Sequence, residues 1–285
     1  MTQRAVDVVR LLVAWAPLTI EDIFRASATF VRPYSSIKRC REELLEMTRA
    51  GVVARKPIPG VTMGSRPFAY HLRRGAAALE PRVADIPRSN SVFYGVSRHP
   101  WHALAIGELG SFLEAHAAQH PRAVVLERIR DRQFSANLDD PHMTNLIPDA
   151  TLAVYLDGKV KLLFVELVNE TSVINPGAAN RDKRSFAAKV SKYQRFNTMR
   201  RSHETWQRLE HAYGRIGGFQ VLVVSTRSNT EHLLSAARDN NTMFLFASLD
   251  DIRKTKNLYA SRVWWLPAAA RWKRARPQLT RLLDH

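Results

Sequence analysis

Residues 148–170 read PDATLAVYLDGKVKLLFVELVNE. Two apolar runs flank Asp157-Gly158, and Asp-Gly in that setting marks a two-residue type I′ hairpin, whose loop positions both need positive φ. With that loop, Leu156 faces Lys159. Counting outward, Asp149 falls opposite Glu166 on one face of the sheet. Facing Cβ atoms stand about 4.5–5.5 Å apart, so the two carboxylates repel unless positive charge lies between them. A divalent cation, Mg²⁺ or Mn²⁺, is suited to that place because it takes carboxylate oxygens. Glu166 sits inside Leu162-Leu163-Phe164-Val165-Glu166-Leu167-Val168, where an unpaired carboxylate is costly. The competing reading is an edge strand that lets Glu166 reach solvent, or a slipped register.

Working outward from the hairpin, the pattern predicts a helix over 101–118, a strand over 123–129 and an irregular stretch over 133–147. After the hairpin it predicts a polar helix over 182–211, a strand over 219–225, a helix over 229–239, a strand over 243–247 and a short helix near 249–255. The alternation describes an α/β (α+β) domain over 99–252, a mixed sheet flanked by helices. Glu108 lies on the apolar stripe of helix 101–118, four residues after Leu104 and four before Phe112. It is a candidate third metal ligand; a rim glutamate covering the core edge is the alternative. His102, further back on that helix, reads as a packing or capping residue. Lys189, Lys192 and Tyr193 share one face of the later helix by their i, i+3 and i, i+4 spacing. A lysine near the carboxylates would steady charge developing on a phosphate; a basic helix facing DNA is the bland alternative.

The amino-terminal residues read as a separate domain over 1–80. Helices are predicted over 4–15, over 19–27 with Thr19 as cap, and from Ser35 or Ser36 to about Ala50, where Gly51 ends the last one. Ile37, Leu44, Leu45 and Met47 form the third helix's apolar face. Strand-like runs at 52–56 and 68–72 flank a turn-rich segment. Three helices and a hairpin are the layout of an N-terminal winged helix-turn-helix, with the third helix entering the major groove. Its DNA-contact candidates are Ser36, Lys38, Arg39 and Arg41 on that helix, and Arg55, Lys56 and Arg66 on the hairpin. A small helical domain with a solvated basic face, or a protein-interaction module, are the alternatives. Residues 81–98 read as a linker and 253–285 as a basic tail, nine Lys or Arg against one Asp.

The 285 residues carry a formal net charge of +17. Such an excess opposes folding by self-repulsion and points to a polyanionic partner, with DNA or RNA foremost. No run of about 18 apolar residues exists to cross a membrane, and the amphipathic start does not resemble a signal peptide. The single cysteine, Cys40, excludes an internal disulfide and a cysteine-rich zinc site. A cytoplasmic protein is expected, with a homodimer as one arrangement open to it. An RNA-processing role is less favoured, because no aromatic-rich single-strand platform stands out.

Pro148-Asp149-Ala150 followed by Glu166 resembles the PD-(D/E)XK nuclease superfamily. The wider pattern is similar to the replication-relaxation family of plasmids and integrated mobile elements. It comprises the winged helix, His102-Ala103-Leu104, Pro148-Asp149-Ala150, Phe164 to Thr171, Lys189 to Tyr193, Phe219 to Thr226 and Trp265-Leu266-Pro267. That resemblance implies a restriction-endonuclease-like domain related to MobC-type relaxases, with a metal-dependent nickase centre. Asp149, Glu166 and Glu108 would be its metal ligands, and Lys189 or Lys192 would stand near the attacking water. The superfamily's lysine would fall at Val168, where the family often carries an acid, and a family glycine is replaced by Glu170. A catalytically inactive DNA-binding regulator of replication or transcription on the same scaffold is therefore the second reading.

Overall fold

The computed structural model describes residues 1–58, 67–73, 76, 100–130, 145–168, 185–226, 231–237, 243–267 and 278–284. The chain divides into two compact units, Met1–Gln119 and His120–His285. The predicted linker 81–98, most of the irregular stretch 133–147, the start of helix 182–211, Arg66 and Glu170 lie outside the described residues.

In the first unit, α1 (Gln3–Trp15) begins at Thr2, whose hydroxyl accepts the Ala5 N–H. A reciprocal Thr19–Asp22 capping box opens α2 (Ile20–Ala26), satisfying two backbone donors that a helix start leaves orphaned. Ser36 caps α3 (Ile37–Arg49). β1 (Val53–Pro57) and β2 (Phe68–Leu72) pair antiparallel. Leu18 adds a bridge to Tyr70, with N–H···O distances of 2.8 and 3.1 Å. Three helices and an antiparallel ribbon reproduce the expected winged-helix layout. On α3 the buried positions are Cys40, Leu44 and Met47, while Ile37 and Leu45 are half-buried. Cys40 thus serves as a small apolar core residue.

The helix expected to open the second domain, α4 (Pro100–Ala118), belongs to this first unit. Two glycines allow its close approach. A Cβ on Gly107 would lie 2.6 Å from the Pro17 carbonyl oxygen, and one on Gly110 would lie 2.2 Å from the Trp15 ring. Polar groups complete the junction. Trp15 Nε1 donates to Glu114 Oε1 at 2.9 Å, and Arg25 bonds both Asp22 Oδ1 (2.8 Å) and Ser111 Oγ (2.5 Å). Glu114 and Ser111 are fully buried, so these partners offset a desolvation cost that would otherwise oppose packing.

Among the described residues, the second unit is built on a seven-stranded sheet. Its strands are β3 (Ala123–Arg130), β4 (Ala150–Leu156), β5 (Lys159–Val168), β6 (Ile216–Ser225), β7 (Phe244–Ser248), β8 (Trp264–Leu266) and β9 (Gln278–Thr280). β3, β4 and β5 run antiparallel; β6 and β7 continue parallel to β5; β8 and β9 return antiparallel. Asp157 and Gly158 have φ of 47° and 83°, the double positive φ of the predicted hairpin loop, and Leu156 faces Lys159. Between β5 and β6 come α5 (Phe186–Met199) and α6 (Glu204–Tyr213), the helical crossover that a parallel pair requires.

One face of the sheet presents Phe164, Val168, Val221, Val223, Phe244 and Phe246 to Phe186, Val190, Tyr193 and Phe196 of α5 and to Trp206 and Leu209 of α6. The Phe164 ring lies 5.5 Å from Tyr193, 5.6 Å from Phe196 and 5.2 Å from Phe219. Aromatic pairs of this kind add about 0.5–1.5 kcal/mol each beyond burial.

Two expectations change here. The helix predicted over 182–211 is two helices, separated by a 3-10 turn at Arg200–Ser202 and an extended His203. Local side-chain bonds compete with helix continuation there: the Ser202 hydroxyl donates to the Met199 carbonyl, and Arg200 donates to the carbonyl and side-chain oxygens of Asn197. The segment read as a basic tail supplies α8's last residues (α8, Leu249–Lys254), β8 and β9, and buries Leu258, Tyr259, Trp264 and Leu282. Its apolar residues outweigh its charge as a folding signal. A six-residue helix, α7 (Glu231–Ala236), precedes β7.

Candidate metal centre

The hairpin register carries Asp149 and Glu166 to the same end of β4 and β5. The ladder runs to Ala150↔Val165. Asp149 then leaves it. Its N–H donates to the Val165 carbonyl at 3.0 Å, and its carboxylate Oδ2 accepts the Leu167 N–H at 2.8 Å. The side chain thereby stands in for a strand partner and is fixed beside the tip of β5. Glu166 projects from β5 toward α5, between Phe164 and Val168 in the alternation of the strand.

Glu166 is fully buried. Both of its oxygens have partners on α5. The Tyr193 hydroxyl donates to Oε1 at 2.8 Å, and the Lys189 ammonium forms an ion pair with Oε2. Lys189 and Tyr193 are one turn apart, so one helix face delivers both. The Tyr193 ring is locked by Phe164 and by Phe244, 5.8 Å away. Burial pushes the Glu166 pKa up to about 7; Lys189 opposes that rise, and the neighbouring Asp149 charge adds to it. For Lys189, burial works downward, but the two carboxylates outweigh it and the net shift is upward. Burial, with Glu166 alongside, drives the Tyr193 pKa well above the ordinary range, so the phenol stays a donor.

Val168 is buried in the core beneath α5, on the same face as Glu166. The ammonium beside Glu166 comes from the next helix, on Lys189. Lys192 is half-buried on α5, and the ion pair to Glu166 is made by Lys189. Glu108 is half-buried on α4 and His102 lies at the start of the same helix. Both belong to the first unit, whereas Asp149 and Glu166 belong to the second. Among the described residues, no group of three or more His, Cys, Asp and Glu side chains gathers as a metal cage.

The DNA-contact candidates are all on the first unit. Ser36 is spent on its cap, accepting the Arg39 N–H. Lys38, Arg39 and Arg41 are exposed on the first half of α3, with Arg39 also paired to Glu42 at 3.2 Å. Arg55 and Lys56 are exposed on β1, and the Arg55 guanidinium lies 4.5 Å from the Phe68 ring centroid. Two features had weak signals in the sequence. The i, i+4 spacing of Lys189 and Tyr193 showed a shared face but not that Tyr193 would hold Glu166. Nothing local to Trp15, Asp22, Ser111 or Glu114 announced the buried polar junction on α4.

Together these features define a two-part α/β protein: a helix-and-ribbon unit, then a mixed sheet whose strand ends hold a carboxylate pair served by a lysine and a tyrosine. The chain belongs to the replication-relaxation family, which it matches over residues 10–210, a span that includes Asp149, Glu166, Lys189 and Tyr193. No curated protein and no solved structure matches it. No helix among the described residues is long and apolar enough to cross a membrane.

Proposed function

We propose that this protein acts on DNA in the replication or mobilisation of a plasmid or other mobile element, and that its second unit nicks a phosphodiester bond with the help of Mg²⁺ or Mn²⁺. The observation that carries this reading is the Lys189 ammonium on Glu166 beside Asp149, which rebuilds in space the acid–acid–lysine set that Val168 interrupts in sequence. The donors suit a hard divalent cation, since both are carboxylates. Burial holds the Glu166 pKa up at about 7 despite the adjacent ammonium, and the half-buried Asp149 charge adds to that rise.

Asp149 and Glu166 would hold the cation. Its contribution when bound is Lewis acidity at a phosphate oxygen and a more acidic water. Lys189 brings a positive charge to a non-bridging phosphate oxygen. Tyr193 fixes the Glu166 carboxylate, and the Leu167 N–H fixes Asp149. The first unit would hold the duplex, with Lys38, Arg39 and Arg41 toward the major groove and Arg55 and Lys56 on backbone phosphates.

Nicking of a supercoiled plasmid carrying the element's own origin tests this. Metal-dependent conversion to open circle is expected, lost in Asp149→Ala and strongly reduced in Lys189→Ala. The second reading, a DNA-binding regulator without catalysis, is favoured by one observation: both Glu166 oxygens already have protein partners. Salt-sensitive DNA binding with no nicking in either metal would decide for it.

A further inference from the structure

The three charged groups of the centre are not equally held. Glu166 keeps 1% of its side chain exposed and Lys189 keeps 32%. Tyr193 is fully buried within its aromatic wall. Of the two groups on Glu166, the phenol on Oε1 cannot leave without opening the core. The ammonium on Oε2 hangs on a flexible four-carbon stem that already reaches solvent.

Charge counting adds a direction. With Glu166 ionised, Asp149, Glu166 and Lys189 together carry one net negative charge. A divalent cation added alone turns that into one net positive charge in a largely buried place, which is unfavourable. A phosphodiester added with it brings the sum to zero. The phosphate is also the natural new partner for an ammonium drawn away from Glu166.

We propose that Lys189 is an exchangeable counter-ion: it occupies Glu166 Oε2 until a nucleic-acid phosphate takes it over, so that phosphate and divalent cation load the centre together. The inference rests on the metal-centre reading given above and specifies how that centre is regulated. An unloaded protein would hold metal weakly. Because binding linkage is reciprocal, metal would tighten DNA binding by the same factor.

The test measures Mn²⁺ binding to the full chain by the loss of free-ion EPR signal, with and without a saturating short DNA duplex, corrected for Mn²⁺ taken by the duplex alone. Wild type should bind Mn²⁺ about ten-fold or more tighter when DNA is present, within the usual range of coupling between sites. Lys189→Met should bind Mn²⁺ without DNA about as tightly as wild type does with it, and its coupling should shrink toward one-fold. Lys189→Gln serves the same purpose should the methionine variant fold poorly. Equal Mn²⁺ affinity in wild type with and without DNA, with binding still lost in Asp149→Ala, overturns the exchange and leaves the metal centre standing. No Mn²⁺ bound under any condition overturns both.

Discussion

Replacing Glu166 by Gln should make the protein more stable at neutral pH and leave it nearly unchanged in acid. The folded-state pKa of Glu166 is raised from 4.5 to about 7, chiefly by burial. A group shifted this way contributes stability that is present below pH 4.5 and lost as pH rises through about 7, because the folded state must then hold the charged form in a dry place. The gap between the two pKa values corresponds to about 3 kcal/mol. Gln has the shape of the protonated acid and does not titrate, so Glu166→Gln should lack this loss. Lys189 keeps a third of its side chain in solvent and the Asp149 charge nearby, so the variant does not strand it. Urea unfolding of both proteins from pH 4.5 to 8, followed by tryptophan fluorescence, measures the difference directly. The advantage of the variant should grow from near zero to about 3 kcal/mol across that range. A difference that stays flat with pH would refute the argument that Glu166 is a buried, under-compensated charge.

Other perturbations probe other parts of the structure. Gly107→Ala and Gly110→Ala each ordinarily favour a helix, but here the added Cβ meets the Pro17 carbonyl or the Trp15 ring. Each should instead lower stability of the first unit by about 1–3 kcal/mol in thermal or urea unfolding. Tyr193→Phe removes a buried donor from Glu166 and should cost about 1.5–3 kcal/mol at pH 8, the range for a hydrogen bond to a charged group, with a smaller cost at pH 5. Arg55→Ala and Lys56→Ala should weaken binding to all duplex sequences alike. Each should reduce the slope of log affinity against log salt by about one in fluorescence anisotropy titrations.

How far the sequence announced this structure depends on the range of the interactions involved. Asp157-Gly158 specifies its turn by backbone conformation alone, so the hairpin and its register could be read directly, and with them the meeting of Asp149 and Glu166. The one deviation, the Asp149 side chain accepting the Leu167 N–H, is a tertiary detail at a strand end that alternation does not encode. The place of α4 could not be read. Nearly every face of that helix is buried, so its pattern names no partner, and the decisive features are the missing side chains of Gly107 and Gly110. Cys40 was considered for its thiol chemistry and turned out to matter for its small volume. β8 and β9 are three residues each, too short for a period of two to show above the surrounding basic residues. Lys189 was one of two lysines on a helix face; only the packing of Tyr193 among Phe164, Phe219 and Phe244 selects it.

The order of the sheet has a bearing on how the protein is made. β3 to β9 lie side by side in the same order in which they occur along the chain. A ribosome releases the chain from its amino terminus, and domains build as they emerge. Each new strand here finds its neighbour already exposed at a growing edge, and none has to be threaded between two others. Asp149, Glu166, Lys189 and Tyr193 have all emerged before β6 exists. The rings of Phe219 and Phe244, which close around Tyr193, come later in synthesis. The charged cluster can therefore assemble while still wet, and β6 and β7, made after it, remove its water.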